Sequence, residues 1–134
     1  MSDEIPSILN HVSLGVSDAA VSFPFYDAVL ATIGARRIFE HGDAVAYGKQ
    51  FPEFWVHATP FDGGEVQSAN GVHFAFLART KDEVHAFHEA AIARGATDEG
   101  APGPRPDYGD EYYGCFVRDP DGHKLEANYY DMSS

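Results

Sequence analysis

The sequence has one cysteine, few basic residues and no long hydrophobic run. Because Cys115 stands alone, the chain cannot form an internal disulfide, which favours a reducing, cytoplasmic location. Lys and Arg number 9 against 21 Asp and Glu, a formal net charge of −12. That balance argues against nucleic acid or an anionic membrane as a partner, although a local arginine or a metal could still attract an anionic small molecule.

The sequence shows no pattern typical of a targeting signal or a membrane span. No uninterrupted apolar run approaches the length of a membrane span, and residues 1–4 (MSDE) are acidic rather than signal-like. The chain has 134 residues, of which 44% are hydrophobic. These values predict a single globular domain over residues 1–134, large enough to bury its own core.

The two halves of the chain resemble each other. A histidine opens a strand-like segment in each half, as HVSL from His11 and HFAF from His73, and a helical pattern then runs to a glycine, Gly34 or Gly95. Hairpin-like segments follow in both halves. The repeat predicts an α+β fold of two pseudo-symmetric βαβββ modules, residues 8–60 and 71–130, whose curved sheet surrounds a central cleft, with a linker over 61–70.

Three local signals refine this reading. Asp18 could cap the first helix, but Pro24 would then lie too deep, so the helix should start near Val21 or begin distorted. Thr80, with a glutamate three residues later, forms a capping box for the second helix. Residues 99–109 hold three prolines and three glycines, so we expect a loop there.

Three side chains form a candidate metal site. Residues 119–128 (DPDGHKLEAN) predict a tight turn followed by a strand. In that strand Glu126 alternates with Leu125 and Ala127, so it faces away from the apolar side. His11 and His73 oppose the bulky apolar residues of their own strands in the same way. Two imidazoles and a carboxylate on one concave face would bind a divalent metal and leave positions open, although either histidine alone is more often structural.

These segments resemble the vicinal oxygen chelate superfamily of glyoxalase, bleomycin-resistance and extradiol-dioxygenase proteins. The matching stretches are residues 11–16 (HVSLGV), 25–30 (FYDAVL), 71–76 (GVHFAF) and 119–126 (DPDGHKLE). The resemblance implies metal ligands at His11, His73 and Glu126, and one divalent ion, Zn, Fe, Mn or Ni. It also implies a small-molecule substrate with two vicinal oxygens, and a homodimer.

The resemblance to lactoylglutathione lyases is incomplete, because those proteins commonly have a glutamate as fourth ligand in the last strand of the first half. Here that strand is FWVHAT, residues 54–59, without an acid. His57 could substitute if it faces inward, but a structural histidine is the better interpretation. The loop before the seventh strand, which forms a pocket wall in the family, offers Arg105, Tyr108 and Tyr113 as substrate contacts, or a surface loop with a salt bridge.

The resulting hypothesis is a metal-dependent lyase, isomerase or ring-cleaving dioxygenase. The sequence does not identify its base: Glu126 or a metal-bound hydroxide could serve, with Tyr108 or Tyr113 assisting. One alternative is a sequestering protein of the bleomycin-resistance kind, which needs no metal. Another is a structural dimer with inert histidines. Two further features have simpler interpretations: His85 and His88 belong to an exposed helix, and Cys115 is a small buried residue.

Overall fold

The computed structural model describes residues 7–60 and 62–131, so residues 1–4 and position 61 of the predicted linker lie outside it. The described residues form two α-helices and eight strands, and the strands make up two four-stranded sheets. This confirms the α+β class and the repeated βαβββ module. The elements are β1 (Val12–Gly15), α1 (Ala19–Ala31), β2 (Arg36–His41), β3 (Ala44–Gly48), β4 (Phe54–His57), β5 (His73–Leu77), α2 (Lys81–Ala93), β6 (Thr97–Pro104), β7 (Tyr112–Arg118) and β8 (Lys124–Tyr130).

The two sheets have the same topology. Their strand orders are β1-β4-β3-β2 and β5-β8-β7-β6. The first strand of each module pairs in parallel with the last, and the remaining pairs are antiparallel. Within the part of the chain that the structure describes, β1 and β5 are both edge strands, each with one unpaired side.

Alternation along the strands separates the core from the polar face. Phe74 and Phe76 pack on the core, whereas His73 and Leu77 on the same strand are exposed. Phe54 of the first module lies between the modules, with its ring centroid 5.8 Å from that of Phe74 and 5.0 Å from that of Phe76. The apolar faces of both modules therefore share one core, because each sheet buries the side that its helix covers.

Both helices begin at predicted caps. Asp18 accepts a hydrogen bond from the Ala20 amide, and α1 continues through Pro24 without interruption. The expectation of a later start near Val21 was therefore wrong: the Asp18 cap and the burial of the helix in the core maintain the first turns despite the missing proline N–H. In α2 the Thr80 hydroxyl accepts from the Glu83 amide at 3.1 Å, as the capping box predicts.

The segment rich in proline and glycine is a strand as far as Pro104, although we expected a loop over all of residues 99–109. It forms the outer strand β6, with irregular register between Asp98 and Gly103, and a single 3-10 turn over Pro106–Tyr108 follows. An edge strand needs only one side to hydrogen-bond, so prolines are tolerated there.

The turn between β7 and β8 connects the two modules. Asp119 is buried and accepts a hydrogen bond from the Tyr26 hydroxyl at 2.5 Å. Asp121 accepts one from the Ser17 hydroxyl at 2.5 Å, and the His123 ring Nε2 lies 2.7 Å from the Gly15 carbonyl oxygen. These contacts fix the second module against the loop between β1 and α1. Among the described residues no helix is both long and apolar enough to cross a membrane.

Candidate functional site

His73 and Glu126 come together on the polar face of the second sheet. Glu126 is paired with Ala75 of β5 in the parallel register, and His73 is two residues earlier on that strand. The His73 Nε2 atom lies 3.1 Å from Glu126 Oε1. The glutamate side chain is only 9% exposed, whereas the histidine side chain is 44% exposed. The carboxylate is therefore fixed within the sheet, and the imidazole stands at the solvent side of the pair.

Two neighbours orient the other oxygen of Glu126. Its Oε2 atom accepts hydrogen bonds from the Tyr112 hydroxyl at 2.6 Å and from Asn128 Nδ2 at 2.9 Å. Burial, together with the hydrogen bond and charge of Glu126, raises the pKa of Tyr112 well above its ordinary value, so the phenol remains a donor. These bonds leave Oε1 directed at His73.

Tyr112 reaches Glu126 only because Gly114 has no side chain. A Cβ built on Gly114 would lie 2.7 Å from Tyr112 Cζ and nearer still to its hydroxyl oxygen. The Tyr112 ring thus lies along β7 over the glycine. This glycine is required for space, since any larger residue would displace the ring from the carboxylate.

The donor set suits a divalent metal. Two ligands at the usual 2.0–2.2 Å from one ion lie about 3 Å from each other, which is compatible with the His73–Glu126 separation of 3.1 Å. The Oδ1 atom of Asn128 is also buried here without a hydrogen-bond partner. A neutral imidazole and a carboxylate are ligands that Zn, Fe, Mn and Ni share. His73 and Glu126 therefore fit two positions of a metal site.

His11 lies apart from this pair within one chain. It immediately precedes β1, its Nδ1 is 2.6 Å from Asn10 Oδ1, and its ring centroid is 6.2 Å from that of Trp55. His11 and His73 both line a cavity of about 630 Å³. Nevertheless, within residues 7–60 and 62–131 no three His, Cys, Asp or Glu side chains converge closely enough to hold a metal ion.

Superposing the registers of the two modules identifies the counterpart of Glu126. Phe54 pairs with Val12 as Leu125 pairs with Phe74, so Trp55 occupies the position of Glu126. His57 corresponds to Asn128 instead, and its ring stacks on Trp55 with centroids 6.2 Å apart at 18°. The first module therefore has an aromatic ring where the second module has its carboxylate.

The three substrate-contact candidates of the β6–β7 region have different positions. Arg105 lies over the Phe116 ring, 5.8 Å from guanidinium carbon to centroid, on the face that carries Glu126. Tyr108 is 57% exposed and packs edge-on against Tyr112. Tyr113 lies on the opposite face of β7, where its hydroxyl is 2.6 Å from His85 Nε2 of α2. The structure thus brings Arg105 and Tyr108 near the pair, but not Tyr113.

Sequence reasoning missed the residues that orient Glu126. Tyr112 belongs to the same tyrosine-rich stretch as Tyr108 and Tyr113 and suggested a pocket wall, not a contact with Glu126. Asn128 had only its position two residues after Glu126 to distinguish it. The alternation of β8, with Lys124, Glu126 and Asn128 on one face, was the available signal for Asn128. Cys115 matches its expectation: it is fully buried, and burial raises the pKa of its thiol to about 11.

Comparisons with known proteins identify the family and agree with the fold. The family model described as "Glyoxalase/Bleomycin resistance protein/Dioxygenase superfamily" matches residues 8–127. A glyoxalase/bleomycin resistance protein from Albidiferax ferrireducens T118 is 36% identical, with 93% of this chain and 100% of that chain covered and a TM-score of 0.84. No curated protein matches significantly.

Two solved structures of FosX, a genomically encoded fosfomycin resistance protein from Listeria monocytogenes, share the fold. The hexagonal form is 20% identical, covers 96% of this chain and 97% of that chain, and has a TM-score of 0.67. A FosX mutant complexed with Mn(II) and 1S,2S-dihydroxypropylphosphonic acid is also 20% identical, with coverages of 96% and 94% and a TM-score of 0.66. With a family model matching most of its length and a close structural relative, the chain belongs to the glyoxalase/bleomycin resistance protein/dioxygenase superfamily.

Proposed function

We propose that this protein is a metal-dependent enzyme acting on a small molecule with two vicinal oxygens, as a lyase, isomerase or ring-cleaving dioxygenase. The observation that carries the proposal is the buried Glu126 carboxylate, whose Oε2 is occupied by Tyr112 and Asn128 and whose Oε1 faces His73. A carboxylate held in this way without a cation is costly to bury. Two oriented ligands side by side are what a metal centre requires.

His73, Glu126 and His11 would hold the ion. The vicinal oxygens of the substrate would chelate the bound ion, which would supply Lewis-acid chemistry. The pair of hydrogen bonds on Oε2 keeps the carboxylate from rotating, so only Oε1 is presented. Glu126 Oε1 is also the candidate site for accepting a substrate proton, because Tyr112 remains protonated and serves as a donor.

The site is completed between two copies of the chain in this proposal. Since His11 does not join His73 and Glu126 within one chain, His11 of the partner subunit would supply the third ligand. Apolar side chains are exposed near the outer edges of both strands: Leu9, which lies three residues before β1, is 70% exposed, and Leu77 of β5 is 76% exposed. Pairing of these edges in a two-fold dimer would cover both and create two equivalent sites.

Metal titration tests the proposal directly. We expect the purified, metal-stripped protein to bind Mn(II) or Zn(II) in calorimetry, and Glu126→Gln and His11→Ala each to abolish most of that affinity. Binding should also weaken at low pH, because the imidazoles must be neutral to coordinate. His85→Ala is the matched control, since His85 contacts Tyr113 on the opposite face. Equal affinities of wild type and Glu126→Gln would reject the metal centre.

Mixing the two variants tests the shared site. Each variant alone has two defective sites per dimer, whereas a mixed dimer has one site with both defects and one intact site. After subunit exchange we expect about one quarter of the wild-type metal capacity. A mixture that binds no more metal than the separate variants, from protein that sedimentation shows to be dimeric, would contradict a site shared between subunits.

A binding protein without metal chemistry is the second candidate, favoured by the aromatic residues of the first sheet. Phe39 is 46% exposed and its ring centroid is 5.5 Å from that of Trp55, which in turn stacks on His57. Such rings can bind a planar ligand by stacking. This candidate would replace the enzyme if metal titration fails while aromatic ligands quench the fluorescence of Trp55, the only tryptophan.

A further inference from the structure

The cations of this acidic chain differ in their partners. Three arginines form ion pairs with carboxylates: Arg37 with Asp27 and Glu40, Arg79 with Glu83, and Arg118 with Glu99. Six other cations form none with any described residue. Four of them are exposed, namely Arg36, Lys49, Lys81 and Arg94, and only Arg105 and Lys124 are half-buried. With 21 acidic residues available, two half-buried cations that lack a carboxylate partner are unusual and call for a physical reason.

Arg105 and Lys124 contact the same ring. The Arg105 guanidinium carbon lies 5.8 Å from the Phe116 centroid, and the Lys124 ammonium nitrogen lies 5.1 Å from it. Phe116 is the cross-strand partner of Glu126, and Lys124 is the cross-strand partner of His73. Both cations therefore lie on the polar face of the second sheet, immediately beside the His73–Glu126 pair.

The backbone of β6 provides a place for Arg105. Its Nη2 donates to the Ala101 carbonyl at 2.7 Å and its Nη1 to the Pro104 carbonyl at 3.1 Å. A Cβ on Gly100 would lie 3.1 Å from Nη2, and one on Gly103 would lie 3.3 Å from Nη1. Because these two residues have no side chains, the guanidinium can lie close to the backbone of β6. The carbonyls orient the group but carry no net charge, and N–H groups of the fork remain available.

Lys124 approaches the Phe116 ring from β8, whereas Arg105 follows β6. Its side chain lines a second cavity, of about 390 Å³, which is also lined by His73 and Arg118. Arg118 is neutralised by Glu99 and also donates to the Gly122 carbonyl. Lys124 is therefore the uncompensated charge of this cavity. The ammonium and the guanidinium are like charges near one apolar ring, so an oxyanion bound within reach of either would offset their mutual repulsion.

We propose that Arg105 and Lys124 form a subsite for an oxyanion, with the Phe116 ring as its apolar wall. The guanidinium fork would bind two oxygens of a carboxylate or phosphate-type group, and the ammonium would act as a point charge. This inference rests on the proposed function for the identity of the ligand: the substrate carries an oxyanion beside its metal-chelating oxygens. The subsite thereby selects anionic substrates for a strongly acidic protein.

A titration of metal-free protein tests the subsite. Inorganic phosphate and acetate are added separately to the wild type in excess EDTA, with binding followed through the NMR signals of the Arg105 side chain and of the amides of β6 and β7. We expect saturable shifts centred on Phe116, larger and tighter for phosphate because of its greater charge. Saturation by phosphate assigns a phosphate-type group, and saturation by acetate alone assigns a carboxylate.

Charge-matched variants decide whether the two cations are responsible. Arg105→Gln and Lys124→Gln should each raise the dissociation constant about tenfold, the equivalent of one charge-assisted hydrogen bond. Arg94→Gln removes the same charge from the exposed end of α2 and should leave binding unchanged. Shifts that never saturate, or equal weakening by all three variants, would reduce the effect to non-specific attraction and overturn the subsite.

The outcome is separable from that of the metal proposal. If phosphate binds as expected while metal titration fails, the subsite stands and the enzyme hypothesis does not. If metal binds while phosphate does not, the metal centre stands and the subsite is rejected. All variants are checked first for wild-type amide spectra outside β6, β7 and β8, so a loss of folding is not read as a loss of binding.

Discussion

The hydrogen bond between Tyr26 and Asp119 should be a principal contribution to the stability of the packed modules. Tyr26 is fully buried in α1, and its hydroxyl donates to Asp119 Oδ2 at 2.5 Å across 93 positions of sequence. Asp119 is 3% exposed, and its other oxygen accepts from the amides of Asp121 and His123. Tyr26→Phe removes one donor, changes no other atom and leaves the buried carboxyl partly unsatisfied.

The expected loss is about 1.5–3 kcal/mol of unfolding free energy, the range for a hydrogen bond to a charged group. For a chain of 134 residues, unfolding entropy of about 2 cal/mol/K per residue converts this into a decrease in Tm of about 5–10 °C. Tyr130→Phe is the matched control. That tyrosine is 42% exposed and its hydroxyl forms no hydrogen bond with residues 7–60 or 62–131, so the change should remain within about 0.5 kcal/mol.

The effect should also depend on pH. Burial raises the pKa of Asp119, while the hydrogen bond from Tyr26 opposes that rise. A carboxyl whose pKa is higher in the folded state contributes most stability below its unfolded pKa and loses that contribution as pH rises through the folded pKa. Removing the Tyr26 bond raises the folded pKa further. The Tyr26→Phe loss should therefore be larger near neutral pH than at about pH 5.

Urea unfolding of wild type, Tyr26→Phe and Tyr130→Phe at both pH values measures these differences. Because the expected loss arises from the buried charge of Asp119, two results would refute its role. One is a Tyr26→Phe loss no larger than that of Tyr130→Phe. The other is a loss that grows on acidification, since that sign requires the Tyr26 bond to favour the protonated form of Asp119 over the ionised form.

Two further predictions concern the site and the core. Gly114→Ala should displace the Tyr112 ring and weaken metal binding about tenfold, because one charge-assisted hydrogen bond to Glu126 is lost. Gly15→Ala is the control and should leave metal binding unchanged, since its Cβ would meet its nearest atoms at 3.5 Å or more. Equal calorimetric affinities of the two variants for metal would contradict the proposed role of Gly114. The Cys115 thiol, fully buried and with its pKa raised to about 11, should react with a disulfide reagent only on unfolding; rapid labelling of the native protein would show that the strand β7 opens.

Much of the fold could be predicted from the alternation of apolar residues and from the residues that begin and end helices and turns. The strand alternation of each half placed His73 and Glu126 opposite the bulky apolar residues, and the structure confirms their shared face. The Thr80 capping box could also be predicted, because it depends only on residues 80–83. The strand β6 could not be predicted, because glycines and prolines favour a loop. A strand is possible there because β6 lies at the outer edge of its sheet.

The sequence by itself determined which residue types could form a metal centre, since alternation and the repeated histidine depend only on local geometry. The tertiary structure alone decided which atoms meet. That Tyr112 lies over Gly114 to reach Glu126, that Trp55 takes the counterpart position of that glutamate, and that His11 lies apart are consequences of cross-strand register and of how the modules pack. Register joins residues that are far apart in sequence, and no local pattern specifies it; the shared core of Phe54, Phe74 and Phe76 does.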